Sequence, residues 1–369
     1  MNPSLITESQ EEIGERTFSE APLLIYWELT RACDLACKHC RAEAIDWRDP
    51  RELSLSEAKV LMRQLHSFGE PAPHLVFTGG DPMKFPSLFD LVEYGASLKM
   101  RMSVAPSGTH KLAQAGIRRL GVSGVRSISL SLDGSTSEKH DAFRGVPGCF
   151  EWTIRAANLA REAGLHLQIN TLITADTLKD LPQIYALVKN LGIIRWSLFF
   201  LIPVGRGRLL NEISPAQCET LLEWLYALSK EAPFVIATTE AHHFRRVAWL
   251  KMGMEGQDAA SIWRSPIGMG FGVRDGNGIM FISHAGEVYP SGFLPLSAGN
   301  VRKSSPVEIY RNSELFRSIR DTINYRGKCG RCEFNGICGG SRARAYAKTG
   351  NYLGSDPLCL YEPSMKIES

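Results

Sequence analysis

Hydrophobic and polar positions follow two different rhythms along this chain. Short apolar runs at residues 24–30, 74–78, 100–105, 127–132, 166–172 and 196–202 are of strand length. Between them, apolar side chains return every three or four positions. Ala58, Leu61, Met62, Leu65 and Phe68 share one helical face, as do Leu181, Ile184, Leu187, Val188 and Leu191. Ser54 and Glu57 stand at capping-box spacing where the first of these helices begins. Strands alternating with helices in this way predict parallel pairing through right-handed crossovers, an α/β domain. Further on, residues 215–228 read as a helix, and the stretch to Val273 has no clear period. Residues 278–291 read as two short strands joined at a turn, and 308–323 as one helix. The pattern divides the chain into a polar N-terminal extension (1–21), the α/β domain (22–232), a connecting segment (233–274) and a C-terminal domain (275–369).

Composition narrows the classes. A hydrophobic content of 44% and a charged content of 22% are those of a soluble globular protein. With a net charge of +3 and no long basic run, nothing supports nucleic-acid binding. The apolar stretches are too short to span a membrane. The extension carries Glu8, Glu11, Glu12 and Glu15, unlike a signal or transit peptide, so a cytoplasmic protein is expected.

The nine cysteines change the picture most. Cys149 and Cys218 stand alone in helical segments, as small buried side chains often do, and receive no role. The other seven fall into two tight groups, which in a cytosolic protein points to metal. Cys33, Cys37 and Cys40 follow the first strand at Cx3Cx2C spacing. Three thiolates on a 4Fe–4S cube leave one iron open, although zinc also accepts closely spaced cysteines. Cys329, Cys332, Cys338 and Cys359 form a Cx2Cx5C group with a distant fourth member. Four thiolates suit a fully ligated 4Fe–4S cluster or a zinc ion alike.

Other polar residues gather where strands end. The second strand runs into Thr78-Gly79-Gly80-Asp81-Pro82, and paired glycines permit close backbone approach. The third ends in Pro106-Ser107-Gly108-Thr109. The fourth places Ser129, Ser131 and Asp133 on one face, and His140 to Gly145, with Arg144, follows. Asn170 lies in the fifth.

Taken in order from Leu24 to Cys359, these motifs resemble the radical S-adenosylmethionine (SAM) superfamily with a shortened C-terminal SPASM domain. The resemblance implies a partial (β/α)6 TIM-like barrel with a small iron–sulfur domain. It makes Cys33, Cys37 and Cys40 ligands of a cluster whose open iron chelates the amino and carboxylate groups of SAM. Gly79, Gly80, Asp81 and Pro82 match the segment that bonds the SAM amino group, with Asp81 where glutamate is usual. Ser107, Ser129, Ser131, Asp133 and Asn170 would line the SAM pocket, although for Ser129 and Asn170 a purely structural hydrogen bond is an equal alternative. Arg144 would meet the SAM carboxylate, and His39 would stack beside the adenine. Cys329, Cys332, Cys338 and Cys359 would hold one auxiliary 4Fe–4S cluster; a second is not expected, because Ser291 and Ser341 stand where relatives carry cysteine.

The segments Leu35 to Cys40, Phe143 to Gly145 and Cys338 to Arg344 are similar to the branch that modifies tetrapyrrole side chains, including the haem d1 and alternative haem synthesis proteins. The activity implied is reductive cleavage of SAM to a 5′-deoxyadenosyl radical, which takes hydrogen from its substrate and leads to oxidative modification or decarboxylation. The substrate would be a small molecule such as a tetrapyrrole, and the electron donor a flavodoxin or ferredoxin. His242, His243 and Arg245, after the sixth strand, offer imidazoles for iron or proton transfer and a guanidinium for propionates. Arg326, Arg331, Arg342 and Arg344 read either as a solvated charged face or as a docking site for an anionic substrate or electron donor. Two alternatives stand: a maturase of ribosomally made peptides, and a non-catalytic iron–sulfur electron carrier.

Overall fold

The computed structural model describes residues 18–112 and 114–364. Most of the polar extension therefore lies outside the described residues. Seven strands pair in parallel, each with the next: β1 (Leu24–Thr30), β2 (His74–Gly79), β3 (Met102–Val104), β4 (Ser127–Ser131), β5 (His166–Ile173), β6 (Arg195–Phe200) and β7 (Val235–Thr239). β7 occupies the stretch whose pattern was not assignable, and only Val235 and Ile236 in it are strongly apolar. Beyond it come β8 (Arg274–Asp275), β9 (Gly278–Ile282), β10 (Glu287–Tyr289) and β11 (Gly299–Asn300). β9 and β10 form the expected antiparallel hairpin, but β9 also pairs in parallel with the free edge of β1, Leu24 opposite Ile279. The C-terminal part thus grows directly out of the barrel sheet.

Strand alternation sorts the two faces of the sheet. Ile25, Trp27, Leu29, Phe77, Met102, Val104, Ile128, Leu130, Ile169, Trp196 and Leu198 point outward and are buried. They meet the apolar faces of the crossover helices, including Ala58, Leu61, Met62 and Leu65 of helix Leu55–His66. Each such leucine or isoleucine removed from water contributes roughly 1.5–3 kcal/mol. The Ser54–Glu57 capping box forms as its spacing predicts. The inner face is polar instead: Glu28, Thr30, Ser103, Ser127, Ser129, Ser131, Gln168, Asn170 and Ser197. Across it His74 Nε2, Ser103 Oγ and Ser127 Oγ form a chain of hydrogen bonds, both 2.6 Å. A polar face inside a curved sheet is a lumen built for a ligand rather than a second core.

One predicted helix is two. The stretch 308–323 breaks at Ser313, which is extended (φ −63°, ψ 140°) between helices Pro306–Asn312 and Glu314–Arg320. Its hydroxyl accepts the Phe316 N–H and so caps the second helix. No helix among the described residues is long and apolar enough to cross a membrane.

Candidate active site

The loop leaving β1 carries Cys33, Cys37 and Cys40 and is pinched at its base. Cys33 N–H donates to Ile45 O (2.8 Å) and Ile45 N–H to Arg31 O (3.1 Å). Arg31 ties the return limb through Nε to Ala42 O and Nη2 to Glu43 O, both 2.9 Å. All three sulfurs meet donors: Leu35 N–H at Cys33 (3.4 Å), Arg144 Nη1 at Cys37 (3.6 Å), and Ala44 N–H at Cys40 (3.3 Å), and the Ser107 hydroxyl lies 3.3 Å from Cys33 Sγ. Burial pushes the Cys33 thiol up to about 11, so the thiolate here needs a cation to offset its charge.

The paired glycines pack against this loop. A Cβ on Gly79 would fall 2.3 Å from Thr30 O, and one on Gly80 2.5 Å from both Arg31 O and Ala32 O. Gly80 N–H donates to Thr30 O and Asp81 N–H to Ala32 O, both 2.7 Å. The Asp81 carboxylate turns inward, accepting Met83 N–H (3.1 Å) and the Thr109 hydroxyl (3.3 Å), and Pro82 opens the single turn it caps. Burial raises the Asp81 carboxyl despite these bonds. Ser107 donates to Gly80 O at 2.6 Å. The glycine segment is thus built first to hold the cysteine loop, and the close approach it permits is to the protein's own backbone.

Beyond β4 the chain supplies the opposite wall. Asp133 accepts Leu172 N–H (2.7 Å) and lies 2.5 Å from Arg144 in a buried ion pair. Burial opposes the Asp133 charge, but Arg144 and the nearby histidines more than offset it and hold the carboxyl low. His140 Nδ1 accepts Asp133 N–H at 3.1 Å. Helix Ser137–Arg144 meets the cysteine loop where Lys38 N–H donates to Phe143 O (3.0 Å) and His39 stacks on Phe143, centroids 4.9 Å apart. Burial, and then the Arg144 charge, lowers His39 to about 4, so its ring is neutral at pH 7. Ser129 and Ser131 stand in register with Gln168 and Asn170 on the lumen face, where Gln168 donates to Asn170 (2.7 Å).

The structure adds groups that spacing did not reveal. Glu28 on the lumen face bonds Arg41 (2.6 Å) and His284 (2.7 Å), and His284 reaches Asp49 (3.2 Å). This buried cluster joins β1, the cysteine loop and the β9–β10 turn. Alternation marks Glu28 as inward, but nothing local links it to a residue 256 positions away. Cys149, buried as expected, packs beside Cys33, Leu35 and Cys37, and its thiol donates to Asp141.

Cys329, Cys332, Cys338 and Cys359 line one hollow together with His243, Arg246 and Asp356. Asp356 N–H (3.4 Å) and Arg342 Nη2 (3.5 Å) point at the Cys329 sulfur. Burial raises the thiols, Cys332 to about 12 and Cys359 to about 11. Ser341 does not face the cavity as a ligand would. Its hydroxyl caps helix Arg342–Thr349 through Arg344 N–H (2.9 Å) and bonds the buried Glu240 carboxyl. Ser291 is buried too and accepts Phe293 N–H (3.2 Å).

Two expectations about charged residues are corrected by burial. Arg342 and Arg344 belong to no solvated face: they are 0% and 1% exposed. Arg342 donates to Tyr352 O and Gly354 O, and Arg344 pairs with Glu212 and Asp356. Only Arg326 and Arg331 of that group are exposed. The segment with His242, His243 and Arg245 is also drawn into the protein. His243 is buried between Cys218 Sγ (3.1 Å) and Asp356 (4.0 Å) on the wall of the C-terminal cysteine cavity, and burial lowers it to about 4. His242 is buried beside it, and Arg245 donates to Ile337 O (3.3 Å).

Residues 27–188 match the model of the Radical SAM superfamily. The chain is similar to the AdoMet-dependent heme synthase of Methanosarcina barkeri, 38% identical over 348 residues, 94% of this chain and 99% of that one. It is also similar to the Fe-coproporphyrin III synthase of the same organism, 30% identical over 91% of this chain and 87% of that one. Among solved structures, Streptococcus suis SuiB bound to S-adenosylmethionine shares the fold, with a TM-score of 0.72 at 18% identity over 93% of this chain and 78% of that one.

Proposed function

The chain belongs to the radical SAM superfamily, and from that premise we propose that it completes haem by oxidative decarboxylation of propionate side chains on an iron tetrapyrrole. The observation that carries this reading is the match to a heme synthase over 99% of that protein's length, with the three-cysteine loop and its glycine support intact. Cys33, Cys37 and Cys40 would hold a 4Fe–4S cluster, which when bound would supply the electron for reductive cleavage of SAM to methionine and a 5′-deoxyadenosyl radical. The donors aimed at the three sulfurs fit that group. Turning –CH2CH2COO⁻ into –CH=CH2 removes one hydrogen atom, one carbon dioxide and one further electron. The hydrogen goes to the 5′-deoxyadenosyl radical, and the electron must pass to an acceptor.

The chain's own residues hold and enclose. Asp133 and Arg144 form the wall beside Cys37, with Arg144 placed for the SAM carboxylate. His39, neutral and stacked, offers a flat face for the adenine. Ser107, Ser129, Ser131 and Asn170 keep the lumen polar.

The C-terminal cysteines fit an auxiliary 4Fe–4S cluster better than zinc. Zinc draws four ligands to within about 2.3 Å of one point. Four thiols spread around a hollow suit a cubane, in which each iron takes one thiolate. In this setting His243, with His242 and Arg245 beside it, supports the auxiliary site rather than the substrate. All nine cysteines are free, in keeping with a reducing cytoplasm, and a flavodoxin or ferredoxin is the electron donor that the chemistry asks for.

The test is direct. Enzyme reconstituted without oxygen, given SAM, dithionite and iron-coproporphyrin III, should release carbon dioxide and form vinyl groups, with one 5′-deoxyadenosine per decarboxylation. SAM cleavage with no change in the porphyrin, alongside modification of a short peptide, overturns the reading.

A further inference from the structure

Arg206 lies in the 3₁₀ turn Gly205–Leu209 that follows β6. Its backbone N–H donates to Cys40 O at 3.1 Å. Gly205, at φ +52°, fits so closely against the cysteine loop that a Cβ would fall 2.5 Å from both Cys40 O and Arg41 O. The turn is therefore fixed to the far end of the loop that carries Cys33, Cys37 and Cys40. The Arg206 charge also acts on the buried His39 ring, as does that of Arg144. Arg206 thus lies against the cysteine loop, close enough for its charge to reach the same ring as that of Arg144.

Its side chain is unfinished. Nε and Nη2 are both sealed from solvent and have no hydrogen-bond partner. Other buried guanidiniums are paired at least in part: Arg144 meets Asp133, although its Nε too has no partner, Arg344 meets Glu212 and Asp356, and Arg342 meets two carbonyls, whereas Arg206 has two adjacent donors open on one edge. Donors sealed from water and left without a partner are costly, and proteins seldom build an adjacent pair of them without a use. Nε and Nη2 form one edge of the guanidinium, the edge that takes a carboxylate through two parallel bonds. This chain shows the pairing elsewhere: Arg51 grips Asp49 with Nε to Oδ1 at 3.0 Å and Nη2 to Oδ2 at 2.6 Å.

We propose that the Nε–Nη2 edge of Arg206 receives a carboxylate of the substrate and orients it against the radical site. The inference rests on the reading above and deepens it: the carboxylate is a tetrapyrrole propionate. SAM also carries a carboxylate, but that group has the open iron and Arg144 to meet. An ion pair stabilises the carboxylate before reaction and loses its partner when carbon dioxide leaves, so it opposes decarboxylation. The propionate held by Arg206 is therefore one that stays on the macrocycle, and the arginine is a positioning group that turns another side chain toward the radical.

The experiment uses reconstituted holoenzyme, wild type, Arg206→Gln and Arg206→Lys, with iron-coproporphyrin III, its tetramethyl ester, and SAM as separate ligands. Porphyrin binding is followed by the Soret band, SAM binding by equilibrium dialysis, and iron by analysis. Arg206→Gln should weaken iron-coproporphyrin III by about tenfold or more, and Arg206→Lys by less. SAM affinity and iron content should stay within about twofold of wild type. The preference of wild type for the acid over the ester should shrink in Arg206→Gln by the same factor as the acid's loss. Unchanged affinity for the acid overturns the proposal. So does a loss confined to SAM, which would make SAM the occupant, or a loss of iron, which would make Arg206 a support of the loop. A wild-type enzyme that binds no iron-coproporphyrin III at all sinks the functional reading itself, a separate and distinguishable failure.

Discussion

The two cysteine sites of this molecule are built on opposite plans. At the barrel end, three thiols sit on one loop held by backbone bonds and by glycines too close to it to carry a side chain. Polar atoms there are left over: His39 Nδ1 and the Nε–Nη2 edge of Arg206 are buried without partners. At the C-terminal end, four thiols from one stretch of 31 residues line a hollow; Arg342 and Arg344 beside it are tied to carbonyls and to Asp356, while His243 Nδ1 and Arg246 Nε are buried without hydrogen-bond partners. Spare donors beside three thiols describe a site that waits for ligands. Four thiols supply a full ligand set, so under the reading proposed above this site would leave no iron open. The difference separates a place for chemistry from a place that holds or passes an electron.

The largest effect should come from breaking the open site. Replacing Cys33, Cys37 and Cys40 together by Ala should abolish 5′-deoxyadenosine formation and lower iron from about eight to about four per chain. If the triple variant still cleaved SAM under dithionite, the assignment of the two plans would have to be exchanged. Removing Cys329, Cys332, Cys338 and Cys359 tests the other side. Porphyrin turnover should stop while uncoupled SAM cleavage persists, again with about four irons. Tightly bound zinc without matching sulfide in wild type would break the comparison, since a zinc site passes no electron.

Smaller perturbations sharpen the contrast by loosening one site at a time. Gly80→Ala places a Cβ against the Arg31 and Ala32 carbonyls, which backbone cannot evade cheaply. Iron at the barrel end should fall by half or more with the auxiliary cluster untouched, read as loss of SAM-perturbed signal in the reduced protein's electron paramagnetic resonance spectrum. Arg342→Ala does the reverse. It removes a fully buried side chain that ties Tyr352 O and Gly354 O together beneath Cys329, and costs about 3 kcal/mol as a lost buried charge with its bonds. The auxiliary signal should bleach first on exposure to chelator, ahead of wild type. Equal lability of both clusters in either variant would show that the two sites do not stand on separate supports.

Much of this was legible because it is local. Alternation in Ser127 to Ser131 or Ile25 to Leu29 assigns each residue to a face with no knowledge of its neighbours, and Cx3Cx2C fixes three ligands within eight residues. What could not be read depends on distant partners. Arg342 and Arg344 look like surface charges until Glu212, Asp356 and the carbonyls of residues 352 and 354 close around them. His242 and His243 follow β7, a strand too short and too polar at Thr238 and Thr239 to announce itself. With that strand unseen, the histidines were placed only as following the sixth strand, and the structure sets His243 against the C-terminal cysteines. The break at Ser313 illustrates a third limit. The apolar period runs on through it, and only the cap to Phe316 shows that one helix has ended and another begun.

The smallest effect concerns Glu28, which ties the two halves of the molecule together. Its carboxylate bonds Arg41 on the cysteine loop and His284 on the hairpin turn, with Asp49 on the far side of the imidazole. Burial alone would raise the carboxyl, but Arg41 and then His284 outweigh it and bring it from 4.5 to about 2. A folded-state value below the unfolded one stabilises the fold fully above pH 4.5, and that contribution fades as pH falls toward 2. The shift corresponds to at most about 3 kcal/mol. Glu28→Gln should therefore lower the urea midpoint by a constant amount from pH 8 to about 5, and the gap to wild type should narrow at pH 4 and below. Wild type and variant are compared side by side, so that cluster loss in acid is common to both. A gap that stays constant into acid would mean that Glu28 acts by shape, not charge. The contact between the barrel site and the C-terminal part would then be packing alone.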